Sequence, residues 1–417
     1  MVLVGLATAL MAVSYLDRQV LAILAPTITA ELSISEATYG LLAGAFSIAY
    51  LIAPPFAGRM LDTVGVRRGL PLAVLVWSCV AAAHAGVLGV VSLFALRFAL
   101  GLAESPSFPG AARVVRESVS PAASARAFGF LFTGSSLGAI IAPPLATTMA
   151  ATLGWRFTFV GTAIVGLLWI PAWWLASSRE PAKTKLDAAR ATESAASPRF
   201  VEALRQPPMW RSIAATLAAS PVAAFGLLWG AKLLVGRFGM PQKDVGTLLW
   251  MPPLFFDAGA IVFGDMASRM RARARANVRS GPSSTWPVRV LFALAGALCA
   301  CIALIAYAQS ALGAVLLTGV ALMGVGGVSA IHTSENLSRV PRELVGVCAG
   351  VAAAAQSLAY IVAAAIIGRV VGGSGGYGAV VMGLGAWAIP GAILWCVWPE
   401  RLAGPRLLRA RAEAIAD

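Results

Sequence analysis

Charged residues are scarce in this sequence, and this restricts the chemistry that it can perform. Only 12% of its 417 residues are Asp, Glu, Lys or Arg, whereas an average soluble domain has about 25%. There are two histidines and five cysteines, and no two cysteines form a C-x-x-C pair. We therefore expect no metal site, disulfide or cofactor. Walker loops and H-E-x-x-H motifs are also missing, which argues against an enzyme.

Hydrophobic sequence is abundant instead. Hydrophobic residues make up 59% of the chain, and the mean hydropathy is +0.81. Because about 20 apolar residues cross a bilayer as a helix, the pattern predicts an all-α membrane protein with about twelve transmembrane helices. These spans are predicted near Val2–Ala25, Thr38–Ala57, Leu70–Val87, Val90–Ala112, Ala127–Ala150, Trp155–Ala176, Trp210–Gly236, Val245–Val262, Val288–Ala308, Leu312–Ser334, Val345–Val370 and Gly378–Trp398.

The excess of basic residues has a simple membrane explanation. The chain has 32 Lys and Arg against 18 Asp and Glu, and the basic residues are concentrated in the segments that follow even-numbered spans. This is the distribution expected of cytoplasmic loops, so we predict a bacterial-type inner-membrane protein with both termini in the cytoplasm. The Arg-rich segment 269–289 lacks interleaved aromatic residues, and we expect no nucleic-acid partner.

The chain divides into two similar halves. We predict an N-terminal six-helix half over residues 1–178, a polar cytoplasmic linker over 179–208, a C-terminal six-helix half over 209–400 and a basic tail over 401–417. Two short patterns recur between the halves. Gly58-Arg59-Met60-Leu61-Asp62 returns as Gly264-Asp265-Met266-Ala267-Ser268-Arg269, and Ser136-Leu137-Gly138 returns as Ser357-Leu358-Ala359. Such repeats are typical of transporters whose halves pack around a midplane site.

Four charges fall inside predicted spans. Asp17 and Arg18 lie in the first span, and Arg97 and Glu104 lie in the fourth. A charge at this depth costs roughly 3 kcal/mol on insertion scales, so such residues usually face a polar cavity and have a function. We predict that all four line one central cavity. The alternative is that Arg97 and Glu104 form a static structural pair on one helix or bind neighbouring helices.

The loop after the second span carries a recognisable motif. Residues 58–69, with the sequence GRMLDTVGVRRG, resemble the G-x-L-a-D-x-x-G-r-r/k motif of the major facilitator superfamily. The glycines are expected to allow a tight turn between two spans. Asp62 can accept hydrogen bonds from Arg113, which would latch one conformation. The predicted latch residues are Gly58, Asp62, Gly65, Arg67, Arg68 and Arg113, with Asp265 and Arg269 in the repeat.

The intramembrane charges resemble one branch of this superfamily, the anion:cation symporters. The resemblance rests on Tyr15-Leu16-Asp17-Arg18, on Arg97 followed by Glu104-Ser-Pro-Ser-Phe-Pro, and on Gly154-Trp155-Arg156. It implies the major facilitator fold and two proton-coupling acids, Asp17 and Glu104. It further implies that Arg18 binds the substrate carboxylate, and that Arg97, Tyr15 and Tyr50 belong to the binding site.

The residues support the same chemistry on their own. Arg18 has a planar donor fork that suits a carboxylate. An arriving anion can replace an acid as the partner of Arg18, and the displaced acid then takes a proton. Ser135, His332 and Gln356 are further candidates for substrate contact. Each also has a structural alternative. Ser135 could be a small residue at a helix contact, His332 a buried packing residue, and Gln356 a partner in a hydrogen bond between helices. Asp257 lies near the predicted cytoplasmic end of span eight. A role as a helix-end or latch residue is as consistent with this position as a functional role.

We therefore predict a secondary transporter that imports an organic anion, such as a sugar acid, together with protons by alternating access. One alternative is an exporter or antiporter of drugs or metabolites. Another is a carrier of aromatic or short monocarboxylic acids. Ser107 and Ser135 stand where related sugar-acid carriers often have amides, which favours a less polar carboxylate. The predicted partners are the anion, protons and the bilayer, and we expect a monomer.

Overall fold

The computed structural model is helical nearly throughout the part it describes, which comprises residues 1–180, 183, 186, 200–276, 286–341 and 344–398. Within these residues, eleven helices are long and apolar enough to cross a membrane. The count becomes twelve if Glu36–Ile52 and Phe56–Val64, which meet at an angle of 53°, form one bent span. The prediction of an all-α membrane fold with about twelve spans is confirmed.

The N-terminal half contains eight helices. They are α1 (Val2–Glu31), α2 (Glu36–Ile52), α3 (Pro54–Val64), α4 (Val66–Ala83), α5 (Val90–Glu104), α6 (Ser107–Ser118), α7 (Pro121–Leu153) and α8 (Trp155–Ser177). The second and fourth spans are each built from two helices. In the fourth span, α5 ends at Glu104 and α6 begins after Pro106, whose ring cannot continue the hydrogen-bond ladder.

The C-terminal half begins with a short helix and continues through six spans. Its helices are α9 (Phe200–Leu204), α10 (Pro207–Leu228), α11 (Gly230–Phe238), α12 (Gly246–Leu249), α13 (Met251–Ala276), α14 (Trp286–Ala300), α15 (Ala311–Arg339), α16 (Val345–Gly372) and α17 (Gly376–Val397). Short 3₁₀ turns occupy Gln242–Asp244 and Cys301–Tyr307. Most of the predicted linker and the whole basic tail lie outside the described residues.

Span eight extends further than the sequence predicts. The prediction places its end at Val262, whereas α13 continues to Ala276 and includes the start of the Arg-rich segment. Arg271 in this extension donates to the carbonyl oxygen of Ile331 at 3.2 Å. The arginines end the apolar run, but they do not end the helix, because Arg has a high helix propensity. The helix therefore continues beyond the apolar segment. Asp257 therefore lies near the middle of the span, not near its end.

The motif loop is also more helical than predicted. Gly58 lies inside α3, and a side chain there would meet no atom within 4 Å. The turn is made by Gly65 alone, which has φ +81° and ψ +151°, a conformation that only glycine adopts without strain. The prediction that both glycines shape the turn is thus wrong for Gly58 and correct for Gly65.

Each half buries its own set of aromatic side chains. In the N-terminal half, Trp77 and Trp173 are fully buried. In the C-terminal half, Phe225, Phe292 and Trp395 have the same role. The second cluster also includes Ala25, Tyr39 and Ala43 of the N-terminal half, so apolar packing continues across the interface between the halves.

Helices α2 and α16 form a close contact between the two halves. This contact includes the end of the bundle that lies opposite the chain's N-terminus. Gly40 of α2 packs against the backbone of α16 at Ala364 and Gly368, so closely that a side chain at Gly40 would clash with it. Tyr39 donates to the carbonyl oxygen of Leu228 across the same interface at 2.6 Å. The bundle is therefore closed at this end.

Candidate functional site

Arg18 lies at the middle of α1 within a cluster of aromatic rings. Its guanidinium carbon is 4.6 Å from the ring centroid of Tyr50, 4.9 Å from that of Phe46 and 5.0 Å from that of Tyr15. The rings of Phe46 and Tyr50 stack at 5.6 Å. Rings at these distances attract a cation and hold a planar guanidinium in one orientation. The three rings, one on α1 and two on α2, thus hold the Arg18 guanidinium in a fixed orientation.

Glu104 is the counter-ion of Arg18. The Arg18 Nε donates to Glu104 Oε2 at 2.7 Å, and the Ser14 hydroxyl donates to the same oxygen at 2.9 Å. The second carboxylate oxygen of Glu104 and Nη2 of Arg18 are buried without a hydrogen-bond partner. The pair is therefore only half satisfied, and Nη2 of Arg18 is a buried donor without an acceptor.

Asp17 is the second acid of the site, and it points into the N-terminal half. It is 2% exposed, and neither carboxylate oxygen makes a hydrogen bond of normal geometry. Thr162 and Trp77 are nevertheless close enough to act on it electrostatically, as are Arg97 and Glu104. A carboxylate buried in this way is costly as an anion, and binding a proton removes that cost.

Arg97 completes the set of four charges. It is 3% exposed, and its Nη2 donates to the carbonyl oxygen of Arg18 at 3.2 Å. Its Nε and Nη1 are buried without a hydrogen-bond partner. Because Arg97 binds the backbone of α1 and not Glu104, the four charges form an interhelical network and not a pair along one helix.

The network differs from the prediction in one respect. All four charges were expected to line one cavity, but Asp17, Arg97 and Glu104 are buried within the N-terminal half. Only Arg18 retains appreciable contact with solvent, with its side chain 17% exposed while that of Glu104 is 0% exposed. Glu104 bonds to Arg18 directly, whereas Asp17 interacts electrostatically with Glu104 and Arg97. Ser107 is also fully buried, so it says nothing about ligand polarity.

The opposite wall of the site comes from α7 and α16. Ser135 of α7 is close enough to Tyr15 to interact with its hydroxyl. Tyr360 of α16 also acts on Tyr15, and Gln356 interacts with Tyr360 one helical turn away. Gln356 is exposed and Tyr360 is partly exposed. The structure thus brings Tyr15, Ser135 and Gln356 to one region where the two halves face each other, which we call the vestibule.

His332 lies elsewhere. It is buried in the C-terminal half, where its Nδ1 and the Ser212 hydroxyl are 2.9 Å apart. One turn further along α15, Glu335 binds Arg211 and Arg339. His332 therefore belongs to a packed contact between α10 and α15, and the structure does not bring it to Arg18.

The latch residues are distributed over three contacts. Arg113 donates to Asp62 at 3.0 Å, as the motif suggests. Arg67 instead donates to the carbonyl oxygen of Ser177 at 3.1 Å, which ties α4 to the end of α8. Asp265 and Arg269 form an exposed ion pair along α13 at 2.8 Å, and Arg68 is exposed.

Sequence reasoning missed the charges that close the opposite end. Lys232 of α11 is 5% exposed, and its Nζ is 3.0 Å from Glu36 Oε1 of α2. It also donates to the Thr29 hydroxyl at 2.8 Å. Gln242 adds a bond to the carbonyl oxygen of Ile23 at 2.8 Å. All of these bonds join the two halves. The only available signal was a lysine within an apolar run.

Comparison with known proteins identifies the architecture. The family model described as Major Facilitator Superfamily matches residues 7–364. A solved structure of a bacterial homolog of the human lysosomal transporter Spinster, in an inward-facing and occupied conformation, superimposes with a TM-score of 0.77. That alignment covers 95% of this chain and 98% of the other at 16% sequence identity, so the likeness concerns the fold alone.

Curated relatives are named as sugar-acid transporters. The hexuronate transporter of Escherichia coli K12 is 28% identical over 277 residues, which is 63% of each chain. The galacturonate transporter of Dickeya chrysanthemi is 28% identical over 63% of this chain and 80% of its own. A probable galactarate/D-glucarate transporter of Bacillus subtilis is 26% identical over 90% of this chain and 87% of its own. The match therefore spans less than two thirds of the length of the first of these relatives.

Proposed function

Since this chain belongs to the major facilitator superfamily, we propose that it is a secondary transporter that carries an organic anion into the cell together with protons. The cargo belongs to the sugar acids or to chemically similar carboxylates. The protein resides in a bacterial-type inner membrane with both termini in the cytoplasm, and it works by alternating access of one central site.

The half-satisfied Arg18 carries this proposal. A guanidinium that is fixed by three aromatic rings and bound to only one oxygen of Glu104 is prepared for a second carboxylate. The side chain of Arg18 is 17% exposed and that of Glu104 is 0% exposed, so a cargo carboxylate that arrives from the vestibule meets Arg18 first. The buried Nη2, which has no partner, becomes available when the guanidinium turns towards the cargo. Hydroxyl groups of Tyr15 and Ser135 and the amide of Gln356 are within the same region for the remainder of the cargo.

Proton coupling follows from the position of Glu104 behind Arg18. When the cargo draws the guanidinium towards the vestibule, Glu104 loses its main counter-charge in a site with no solvent contact. An unpaired carboxylate there favours proton binding over ionisation. Asp17, which already lacks hydrogen-bond partners, supplies a second protonation site next to Arg97. Anion and proton thus stabilise each other in the loaded transporter.

The names of the relatives support the cargo class. The hexuronate, galacturonate and galactarate/D-glucarate transporters all act on sugar acids according to their names. All of these cargoes carry at least one carboxylate and several hydroxyl groups. Since Ser107 is buried away from the vestibule, its small side chain does not argue against a polyhydroxylated cargo.

The test is uptake by purified protein in liposomes. A thermal-shift screen of hexuronates, aldarates, aromatic acids and short monocarboxylates first selects the ligand, since a ligand of the folded state raises the melting temperature. Uptake of the selected acid is then measured with the liposome interior more alkaline than the exterior. We expect accumulation that a protonophore abolishes. Equal uptake with and without the gradient would contradict proton coupling.

A further inference from the structure

A third acid lies within the membrane, outside the network of Arg18. Asp257 is near the middle of the span Gln242–Arg273 and is partly exposed. Its Oδ1 accepts a hydrogen bond of 2.7 Å from the Ser136 hydroxyl of α7. This bond joins the C-terminal half to the N-terminal half. Asp257 therefore lies at the interface that must rearrange during transport.

The internal repeat relates Asp257 to the part of α2 that packs on Arg18. The motif at Gly58 recurs at Gly264, 206 residues later, and the same offset pairs Asp257 with Leu51. Leu51 directly follows Tyr50, whose ring packs on the Arg18 guanidinium. Asp257 is also bonded to the residue that follows Ser135 of the vestibule. Both relations put this carboxylate at the level of the cargo site, on the opposite half.

The charged neighbours of Asp257 are distant. On α7, against which it bonds, the described charge is Arg126, ten residues or about 15 Å along the helix. On α15, which packs closely on α13 at Met323 and Gly326, the titratable groups begin at His332. On α14 the charge is Arg289 at the far end, and on α13 itself the nearest is Asp265, two turns away. Ser136 is the hydrogen-bonding group that acts on this carboxylate.

This position creates an electrostatic conflict with an anionic cargo. The four charges of the Arg18 network sum to zero when ionised, and a bound monoanion with one protonated acid keeps them near zero. Ionised Asp257 would add a negative charge beside the vestibule, because its partner Ser136 directly follows Ser135. A carboxylate without a cation near a bound anion favours the protonated form.

We propose that Asp257 is a proton-carrying acid of the C-terminal half, which binds a proton when the anion occupies the vestibule and releases it on the other side. The proton binds to Oδ2 of Asp257, which does not accept from Ser136. Alternatively it binds to Oδ1, and the carboxylic acid then donates to the Ser136 hydroxyl oxygen. No covalent bond to carbon changes in this step. The inference rests on the proposed function, since it assumes coupled transport.

The number of protons carried per anion tests this inference. With D-glucuronate as the probe, the reversal potential of uptake in liposomes gives the proton-to-anion ratio for the wild type. We expect the Asp257→Asn variant to transport with a ratio lower by one. The matched control is Ser136→Ala, which removes the interhalf bond but keeps the acid, and its ratio should equal that of the wild type.

Two other results would overturn the inference. An active Asp257→Asn variant with an unchanged ratio would remove the proton role. A raised KM with an unchanged ratio would show that Asp257 recognises a donor group of the cargo instead. If the variant binds D-glucuronate without transporting it, proton uptake on binding is measured with a pH indicator, and the same loss of one proton is expected. Uncoupled uptake by the wild type would instead refute the proposed function.

Discussion

At the scale of single residues, the proposed coupling of anion and proton depends on the geometry of the Arg18 guanidinium. Arg18 binds Glu104 through Nε at 2.7 Å and keeps Nη2 unbonded. Three aromatic rings fix its plane. In the proposed transporter, this residue holds either an internal acid or an external carboxylate, because a planar guanidinium carries N–H donors on more than one edge.

Replacing Arg18 with Lys tests the fork directly. A lysine keeps the charge but loses the planar donors and the ring stacking, so we expect uptake to fall at least tenfold while the protein still folds. The measurement is initial-rate uptake in liposomes, normalised to reconstituted protein. The matched control is Arg126→Lys, at an exposed arginine near the start of α7 that belongs to neither the predicted binding site nor the predicted latch. Near-normal uptake by Arg18→Lys would refute carboxylate binding at this residue.

Sequence reasoning identified the charged residues but not their pairing. Arg97 and Glu104 are seven residues apart, which suggests a shared helix face. In the structure, Glu104 pairs with Arg18 of another helix, and Arg97 bonds to the carbonyl oxygen of that same residue. Helical spacing predicts which side chains share a face, but it does not predict which neighbouring helix packs on that face. Pairing between helices depends on tertiary packing, which one sequence does not reveal.

At the scale of elements, breaks within spans distinguish this fold from a bundle of straight helices. The fourth span breaks at Pro106 immediately after Glu104, and the second breaks at Ala53 before α3. Pro106 was visible in the sequence, but its effect was hidden because the apolar run continues on both sides. By contrast, the end of span eight was misplaced because its helix continues into a charged segment. Hydropathy therefore located the spans well and their helical limits poorly.

The two motif glycines provide a matched test of helix geometry. Gly65 has φ +81°, and Gly65→Ala should cost about 1–3 kcal/mol through backbone strain. Gly58 is helical with open space around it, so Gly58→Ala should stabilise the protein by roughly 0.5–1 kcal/mol. The measurement is the melting temperature of each purified variant in detergent. Destabilisation by Gly58→Ala equal to that by Gly65→Ala would contradict the helical assignment of Gly58.

The closed end of the bundle is held by Lys232, whose role the sequence pattern did not indicate. Lys232 lies in the run Leu-Leu-Trp-Gly-Ala-Lys-Leu-Leu, and Glu36 looked like an ordinary loop charge. Together they join α11 to α2 at 3.0 Å. The side chain of Lys232 is 5% exposed and that of Glu36 is 32% exposed, so the pair is only partly screened by water.

Removing this ion pair should open the end of the bundle that is now closed. We expect Lys232→Met to raise the population of the state open on that side about tenfold, which corresponds to about 1.4 kcal/mol. The measurement is the labelling rate of Ala43→Cys, a buried site in α2, by an impermeant maleimide in a variant without native cysteines. Lys243→Met, at an exposed position nearby, is the control.

The charge-reversed pair completes that test. A protein with both Lys232→Glu and Glu36→Lys should recover slow labelling, because the opposite charges still face each other. If Lys232→Met leaves the labelling rate of Ala43→Cys unchanged, the Lys232–Glu36 pair does not hold this end closed.

At the scale of the whole molecule, the interface between the two halves combines polar bonds with apolar packing. Each half packs around buried aromatic residues. The halves are joined by hydrogen bonds, by close glycine contacts and by the rings of Tyr39 and Trp229, whose centroids are 4.9 Å apart. Arg18, the proposed cargo-binding residue, and Asp257, the proposed third proton-binding acid, lie on opposite halves of the molecule, so a rearrangement of the interface would change the surroundings of both.

In the proposed transporter, Glu104 and the cargo carboxylate compete for Arg18, and the Glu104→Gln variant separates coupling from binding. Two rates are measured in the same liposomes: exchange of labelled for unlabelled cargo without a gradient, and accumulation driven by a proton gradient. Ser14→Ala, which removes a neighbouring bond but keeps the acid, is the control.

We predict that Glu104→Gln retains exchange at a rate similar to that of the wild type and loses gradient-driven accumulation, because its neutral amide mimics the protonated acid permanently. Ser14→Ala should retain both activities. Accumulation by Glu104→Gln at the wild-type level would contradict the account, and equal loss of exchange and accumulation would assign Glu104 a structural role instead.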